Sequence, residues 1–161
     1  MKKFGIIFSL IFSFLLIFVA CFIDVNQNVL AEENENVVSV SSFEELHNMT
    51  EQKTYELNCD LGDEENEFNF TSIENFNGVF DGKGHTIKNL KVSSADGFLA
   101  LFSKTNGATI KNLKIDTISI ELTEIAESHD PKIAILVAEA KATTISNVEI
   151  VNSKISLNSI C

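Results

Sequence analysis

Three segments of this chain are near copies of one another: Thr86-Ile87-Lys88-Asn89-Leu90-Lys91-Val92, Thr109-Ile110-Lys111-Asn112-Leu113-Lys114-Ile115 and Thr144-Ile145-Ser146-Asn147-Val148-Glu149-Ile150. Each reads Thr-Ile-x-Asn-apolar-x-apolar, and the intervals between Ile87, Ile110 and Ile145 are 23 and 35 residues. Ala100-Leu101-Phe102 matches Ile135-Leu136-Val137 at the same offset of 35. A strand-rich motif recurring at roughly 20 to 30 residues marks a solenoid, in which each repeat buries its apolar face only against its neighbours.

The interior of one repeat favours a coil over a flat sheet. Side chains alternate across a strand, so Ile110, Leu113 and Ile115 cannot share one face of a straight strand. The chain must bend between them. Asn112 is the natural corner, because Asn tolerates left-handed backbone angles and hydrogen-bonds its own chain. Stacking the three copies predicts a ladder of side-chain amides from Asn89 to Asn112 to Asn147. Gly78, Asp81, Gly82, Gly84, His85 and Gly107 are read as structural turn residues. The longer second interval places an insertion around Glu121 to Pro131, a loop or short helix bulging from one rung.

Charge divides the chain. Residues 32–75 carry 13 acids and one Lys, whereas residues 76–161 carry nine of each. All 12 basic residues are Lys, so the bidentate Arg fork that reads phosphate or guanine is missing, and the net charge of −11 repels nucleic acid. Nucleic acid is therefore excluded as a partner. Residues 32–36 read as an acidic spacer, 37–75 as an N-terminal cap and 76–161 as the repeats. Within the cap, Val37 to Val40 and Tyr55 to Cys59 read as strands. Between them Ser41-Ser42-Phe43-Glu44-Glu45-Leu46 offers Ser-x-x-Glu twice, the capping box of a brief helix ending near Met49.

Residues 1–31 read as a signal peptide: Lys2-Lys3, an uncharged run from Phe4 to Ile23, then Val29 and Ala31 before a cut at Glu32. An uncleaved anchor and lipidation at Cys21, in Phe18-Val19-Ala20-Cys21, are the two alternatives, and either would tie the chain to a membrane. All three export the body, which is expected to be secreted or at the extracellular cell surface. Cys59 and Cys161 do not form a disulfide framework, and a buried, unpaired Cys59 is expected rather than a long-range bridge.

Phe76-Asn77-Gly78-Val79-Phe80-Asp81-Gly82-Lys83-Gly84-His85-Thr86-Ile87-Lys88-Asn89-Leu90 resembles the β-helical surface proteins that carry the GLUG motif, a pattern shared with the non-catalytic N-terminal region of immunoglobulin A1-cleaving metallopeptidases of Gram-positive bacteria. The likeness continues through Gly97 to Ile115 and Ile133 to Ile150, and Tyr55 to Leu61 looks like the lead-in strand. It implies an all-β, right-handed parallel β-helix, exported and used for adhesion or presentation. The glycines that name the motif are replaced, for Leu101-Phe102-Ser103 and Leu136-Val137-Ala138 carry Ser and Ala there.

Residues for chemistry are sparse. A zinc peptidase needs His-Glu-x-x-His, and none of His47, His85 and His129 begins that motif. A pectate-lyase-like carbohydrate enzyme on the same coil is the alternative. It would need converging carboxylates, yet Asp81, Asp96, Asp116 and Asp130 are scattered along the sequence, with Asp81 and Asp116 read as corner caps. Asp60 to Glu67 is dense in oxygen ligands but lacks the ordered spacing of a calcium loop, and reads as a solvated acidic loop. No catalytic residue, metal or cofactor is expected. The strand-like run from Lys154 to Ile160 with no polar cap suggests either the N-terminal part of a larger cell-surface protein or an end-to-end homodimer. The expected function is a non-catalytic module for presentation or adhesion, with a host or environmental glycan or glycoprotein as partner.

Overall fold

The three repeats are cut by corners into short strands that stack in parallel from rung to rung. In a computed structural model the chain divides into units Met1–Glu35 and Asn36–Cys161. The described residues, 36–49, 52–94, 97–122 and 130–157, all lie in the second unit. The leader, Cys21, Asp96, His129, Cys161 and most of the 121–131 insertion fall outside them.

The strands are β1 (Val37–Val40), β2 (Thr54–Leu57), β3 (Phe68–Phe70), β4 (Val79–Asp81), β5 (Thr86–Lys88), β6 (Leu90–Ser94), β7 (Phe98–Leu99), β8 (Phe102–Asn106), β9 (Thr109–Asp116), β10 (Ser119–Leu122), β11 (Lys132–Ile133), β12 (Val137–Lys141), β13 (Thr144–Val151) and β14 (Lys154–Leu157). One sheet runs β1-β2-β4-β9-β13 with β5 also on β9, a second runs β3-β6-β10-β14, and two short sheets pair β7 with β11 and β8 with β12. Every pairing is parallel. The protein is a parallel β-solenoid, with each strand joined to its neighbour through a full turn of the coil.

The single helix among the described residues, α1 (Phe43–His47), begins at Ser42, whose Oγ accepts from the Glu45 amide at 3.2 Å. The Glu45 carboxylate reaches back to the Ser41 amide at 2.7 Å, closing a capping box one residue wider than the usual form. Leu46 and Met49 turn inward and are fully buried against the coil.

The core is a set of apolar columns. Phe80 pairs with Ile110, Ile87 with Ile115 and Val92 with Ile120, and all six are completely buried. Phe102 lies 5.2 Å from Phe76 and 5.9 Å from Phe80 between ring centroids, filling the width of the coil at its middle rungs. Ile110, Leu113 and Ile115 are all buried because Asn112 takes φ 52° and turns the chain between them.

Three readings of the sequence need correction. The parallel sheets begin at Val37 rather than at Phe76, since β1, β2 and β3 from the cap segment are strands of the coil. Thr86 to Val92 does not lie over Thr109 to Ile115: Thr86 pairs with Lys114, and Val79 is the residue beneath Thr109. The motif encodes a corner between two short strands, and the same local sequence serves at two different corners. Cys59 is exposed, placed at the turn between inward-facing Leu57 and Leu61, with its Sγ 3.7 Å from the Ser41 carbonyl oxygen.

Candidate binding cleft

Two corners of the coil gather the polar side chains. At the first, Asn147 Nδ2 donates to Asn112 Oδ1 at 2.9 Å, and Asn112 Nδ2 donates to Asp81 Oδ1 at 3.0 Å. Asp81, 6% exposed, also accepts from the Lys83 amide at 2.9 Å and lies 3.2 Å from Lys111 Nζ. Burial works to raise its pKa, but the hydrogen bonds from Asn112 and Lys83 and the charge of Lys111 prevail and hold it below 3.8.

Asn89 has no place in that column. It sits at the second corner, where its Nδ2 donates to the Asn66 carbonyl at 2.9 Å and its amide to the Asp116 carbonyl at 3.0 Å. The first corner of its own rung is made instead by Gly82-Lys83-Gly84-His85. His85 N donates to Gly82 O at 2.8 Å to close that turn, and Gly84 N donates to Asn112 O at 2.8 Å. Gly82 is required there by close approach, because a Cβ would lie 2.5 Å from the Asn112 carbonyl oxygen. Gly78 and Gly107 stand at a third bend, where Gly78 O accepts from Thr109 N and Gly107 N donates to Lys141 O.

The second corner faces a cleft of about 280 Å³ lined by Asp63, Glu64, Lys88, Asn89, Asp116, Thr117 and Asn152. Asn89, Thr117 and Asn152 all take left-handed backbone angles, φ 54°, 59° and 50°, so successive rungs turn at the same place. Asp116 Oδ1 accepts from Asn152 Nδ2 and Thr117 Oγ1, both at 3.0 Å, and those bonds lower its pKa. Across the cleft, Asp63 Oδ1 accepts from the Asn66 amide at 2.7 Å and the Glu65 amide at 2.9 Å. The Asn66 side chain and then these amides hold the Asp63 carboxyl low. Glu64 stands 3.9 Å from Lys88 Nζ.

Next to this loop, Asp60 Oδ1 accepts from the Thr86 amide at 2.9 Å and lies 3.2 Å from His85 Nδ1. The Thr86 bond is the main reason its pKa is lowered, with His85 and Lys88 adding to it. His85 thus ties one rung to the next through the Asp60 loop. His47 Nδ1 lies 3.2 Å from the Thr71 carbonyl oxygen. Among the described residues no three His, Cys, Asp or Glu side chains gather to hold a metal ion.

Sequence reasoning singled out Asp81, Asn89, Asn112, Asn147 and His85 but did not assemble the cleft. Thr117 and Asn152 carry no repeated residue type. Their only signal is position: the offset of 35 that relates Asn112 to Asn147 also relates Thr117 to Asn152. Comparison with protein-family models finds no match, and comparisons with curated proteins and with solved structures find no significant similarity to any of them.

Proposed function

We propose that this chain is an exported, non-catalytic β-solenoid module that acts in surface presentation or adhesion, with a glycan or glycoprotein as its partner. The observation that carries the reading is the state of the turn carboxylates. Asp60, Asp81 and Asp116 each accept hydrogen bonds that hold the coil's own corners, and each has its pKa lowered. Glycoside hydrolysis needs one carboxyl kept protonated near neutral pH beside a second that is ionised. Carboxylates held ionised by corner bonds are suited to accepting hydrogen bonds and poorly suited to donating a proton, which weighs against hydrolysis; an eliminating lyase would instead use ionised carboxylates on a calcium ion, and the calcium arm of the test below separates that reading.

The cleft at the second corner fits hydroxyl-rich ligands. Three carboxylates, two amides, one hydroxyl and one ammonium surround it, offering acceptors and donors at close quarters. The resemblance at residues 76–90 and the apolar leader support export and a surface role.

The test is retention against turnover. The exported product of the full-length chain is passed over immobilised mucin glycoprotein and polygalacturonate, and soluble samples of both are assayed for chain cleavage with and without calcium. Retention on at least one glycan with no new reducing ends or unsaturated uronide is the expected result. Cleavage that disappears in Asp81→Asn or Asp116→Asn would favour the carbohydrate-enzyme reading and overturn this one.

A further inference from the structure

The cleft at the second corner turns its donors inward and its acceptors outward. Asn89 directs its side-chain amide to the Asn66 carbonyl, Asn152 directs its own to Asp116 Oδ1, and Thr117 Oγ1 donates to the same oxygen. Among the described residues no hydrogen bond uses Asn89 Oδ1, Asn152 Oδ1 or Asp116 Oδ2. The Glu64 side chain is 89% exposed, and its one ion pair among the described residues is the 3.9 Å approach to Lys88. A ligand for this cleft must therefore bring donors of its own.

Charge narrows the kind of donor. Asp63, Glu64 and Asp116 face Lys88 alone, so three carboxylates against one ammonium leave the lining at a formal −2. Lys88 is already engaged, since it pairs with Glu64 and its charge adds to the lowering of the Asp60 and Asp116 pKa values. Little of that charge remains to hold an anion. No three acidic, His or Cys side chains among the described residues converge on one point, so the surplus is spread along the cleft rather than gathered for a metal ion. It suits an extended molecule with several donors.

We propose that the cleft selects saccharides that carry a protonated amine, a de-N-acetylated hexosamine rather than a uronic acid, with the ammonium set against Glu64 and Asp116 and the ring hydroxyls donating to Asn89, Thr117 and Asn152. This rests on the glycan reading above and narrows it. Covering carboxylates with a neutral or anionic sugar removes their water without supplying a counter-charge, whereas an ammonium offsets that loss. A basic peptide brings the charge but lacks the hydroxyls that the Asn and Thr acceptors would take.

Titration calorimetry of the exported product of the full-length chain tests this, at about pH 5.5 and low salt, where amines are protonated and aspartates ionised. The probes are the trisaccharides of glucosamine, N-acetylglucosamine and galacturonic acid, and a capped tri-lysine peptide with the charge of the first. The glucosamine trisaccharide should bind about 5-fold or more tightly than its N-acetylated form, with the galacturonate weakest, and salt at about 0.5 M should shrink the difference. Glu64→Gln should remove much of the preference and Lys88→Gln should enlarge it, opposite signs that a common loss of folding does not produce. Glu74→Gln makes the same charge change at an exposed position on the bend stacked beside β8, outside the cleft, and should bind as wild type does. Circular dichroism of the variants should coincide with that of wild type. Equal or tighter binding of the N-acetylated or uronic trisaccharide would overturn the inference and leave the glycan reading standing. Tighter binding of tri-lysine, or an equal effect of Glu74→Gln and Glu64→Gln, would overturn it by showing attraction to charge alone. Failure of all three saccharides to bind would remove the glycan reading at this cleft and the inference with it.

Discussion

The side-chain amide of Asn147 donates to Oδ1 of Asn112 at 2.9 Å, joining residues 35 apart in sequence and one turn apart in the coil. Asn112 passes the connection on to Asp81, so one side chain accepts from the rung above and donates to the rung below. It does so at φ 52°, where Asn is better tolerated than most residues.

Replacing Asn112 with Ala should therefore cost about 2–4 kcal/mol, from two lost hydrogen bonds and a left-handed alanine. Asn112→Gly relieves the backbone term and should cost about 1–2 kcal/mol. Asn89→Ala, which loses one side-chain bond to Asn66, should cost less than Asn112→Ala in the same urea titrations. Equal losses at 89 and 112 would contradict the separation of the two corners.

Glycine 62 carries a constraint that no repeat signals. At φ +83° its Cα faces the Lys88 carbonyl, and an added Cβ would lie 2.2 Å from that oxygen. Gly107 also has a positive φ, +73°, but opens into space. Gly62→Ala should thus lower the thermal midpoint clearly more than Gly107→Ala, since the backbone itself must move and push the 60–67 loop off the coil. A larger loss at Gly107 would show that strain rather than close approach dominates.

Core packing is concentrated at the middle rungs. Phe102→Ala removes a fully buried ring that touches two others and should cost about 3–5 kcal/mol. Phe68, 39% exposed and 4.7 Å from Phe43, should cost about 1 kcal/mol on the same change. Denaturant unfolding of the two variants gives the comparison directly.

Acid should loosen the corners. Asp60, Asp63, Asp81, Asp116 and Glu139 all have lowered pKa values in the folded chain. A carboxyl whose folded pKa lies below its unfolded one contributes stability that is fully present above the unfolded value and is lost as pH falls through the folded one. Stability is expected to be flat near neutrality and to fall below about pH 4. Asp81→Asn should be less stable at pH 7 and show a shallower acid dependence. An unchanged slope would mean that Asp81 does not contribute to the acid transition.

Much of the fold was legible in the residues. The odd step from Ile110 to Leu113 forced a bend, and the matched runs at 100–115 and 135–150 gave the pairing of Phe102 with Val137 and Ile110 with Ile145. Repetition misled at the first copy. Thr86 to Val92 has the strongest likeness to Thr109 to Ile115, yet the preceding Gly82-Lys83-Gly84-His85 turn takes up the first corner and shifts the copy to the second. A local motif encodes a bend, while register follows from how many residues each face of the rung must span. The cleft was illegible for a related reason. Asp63, Lys88, Thr117 and Asn152 share no motif, and only the register brings them together.

The parallel coil in this register is what the cleft and the corners both depend on, and disulfide trapping tests it most directly. Adjacent strands lie about 4.8 Å apart, within reach of a disulfide between paired outward positions. With Cys59 and Cys161 replaced by Ser, Thr109→Cys with Thr144→Cys and Thr86→Cys with Lys114→Cys should each form an intrachain bridge under mild oxidation, because each pair shares a register position. Thr86→Cys with Thr109→Cys should stay reduced. Ready bridging of 86 to 109, with none between 86 and 114, would mean that the copies stack as the sequence motif alone suggests and would contradict the account.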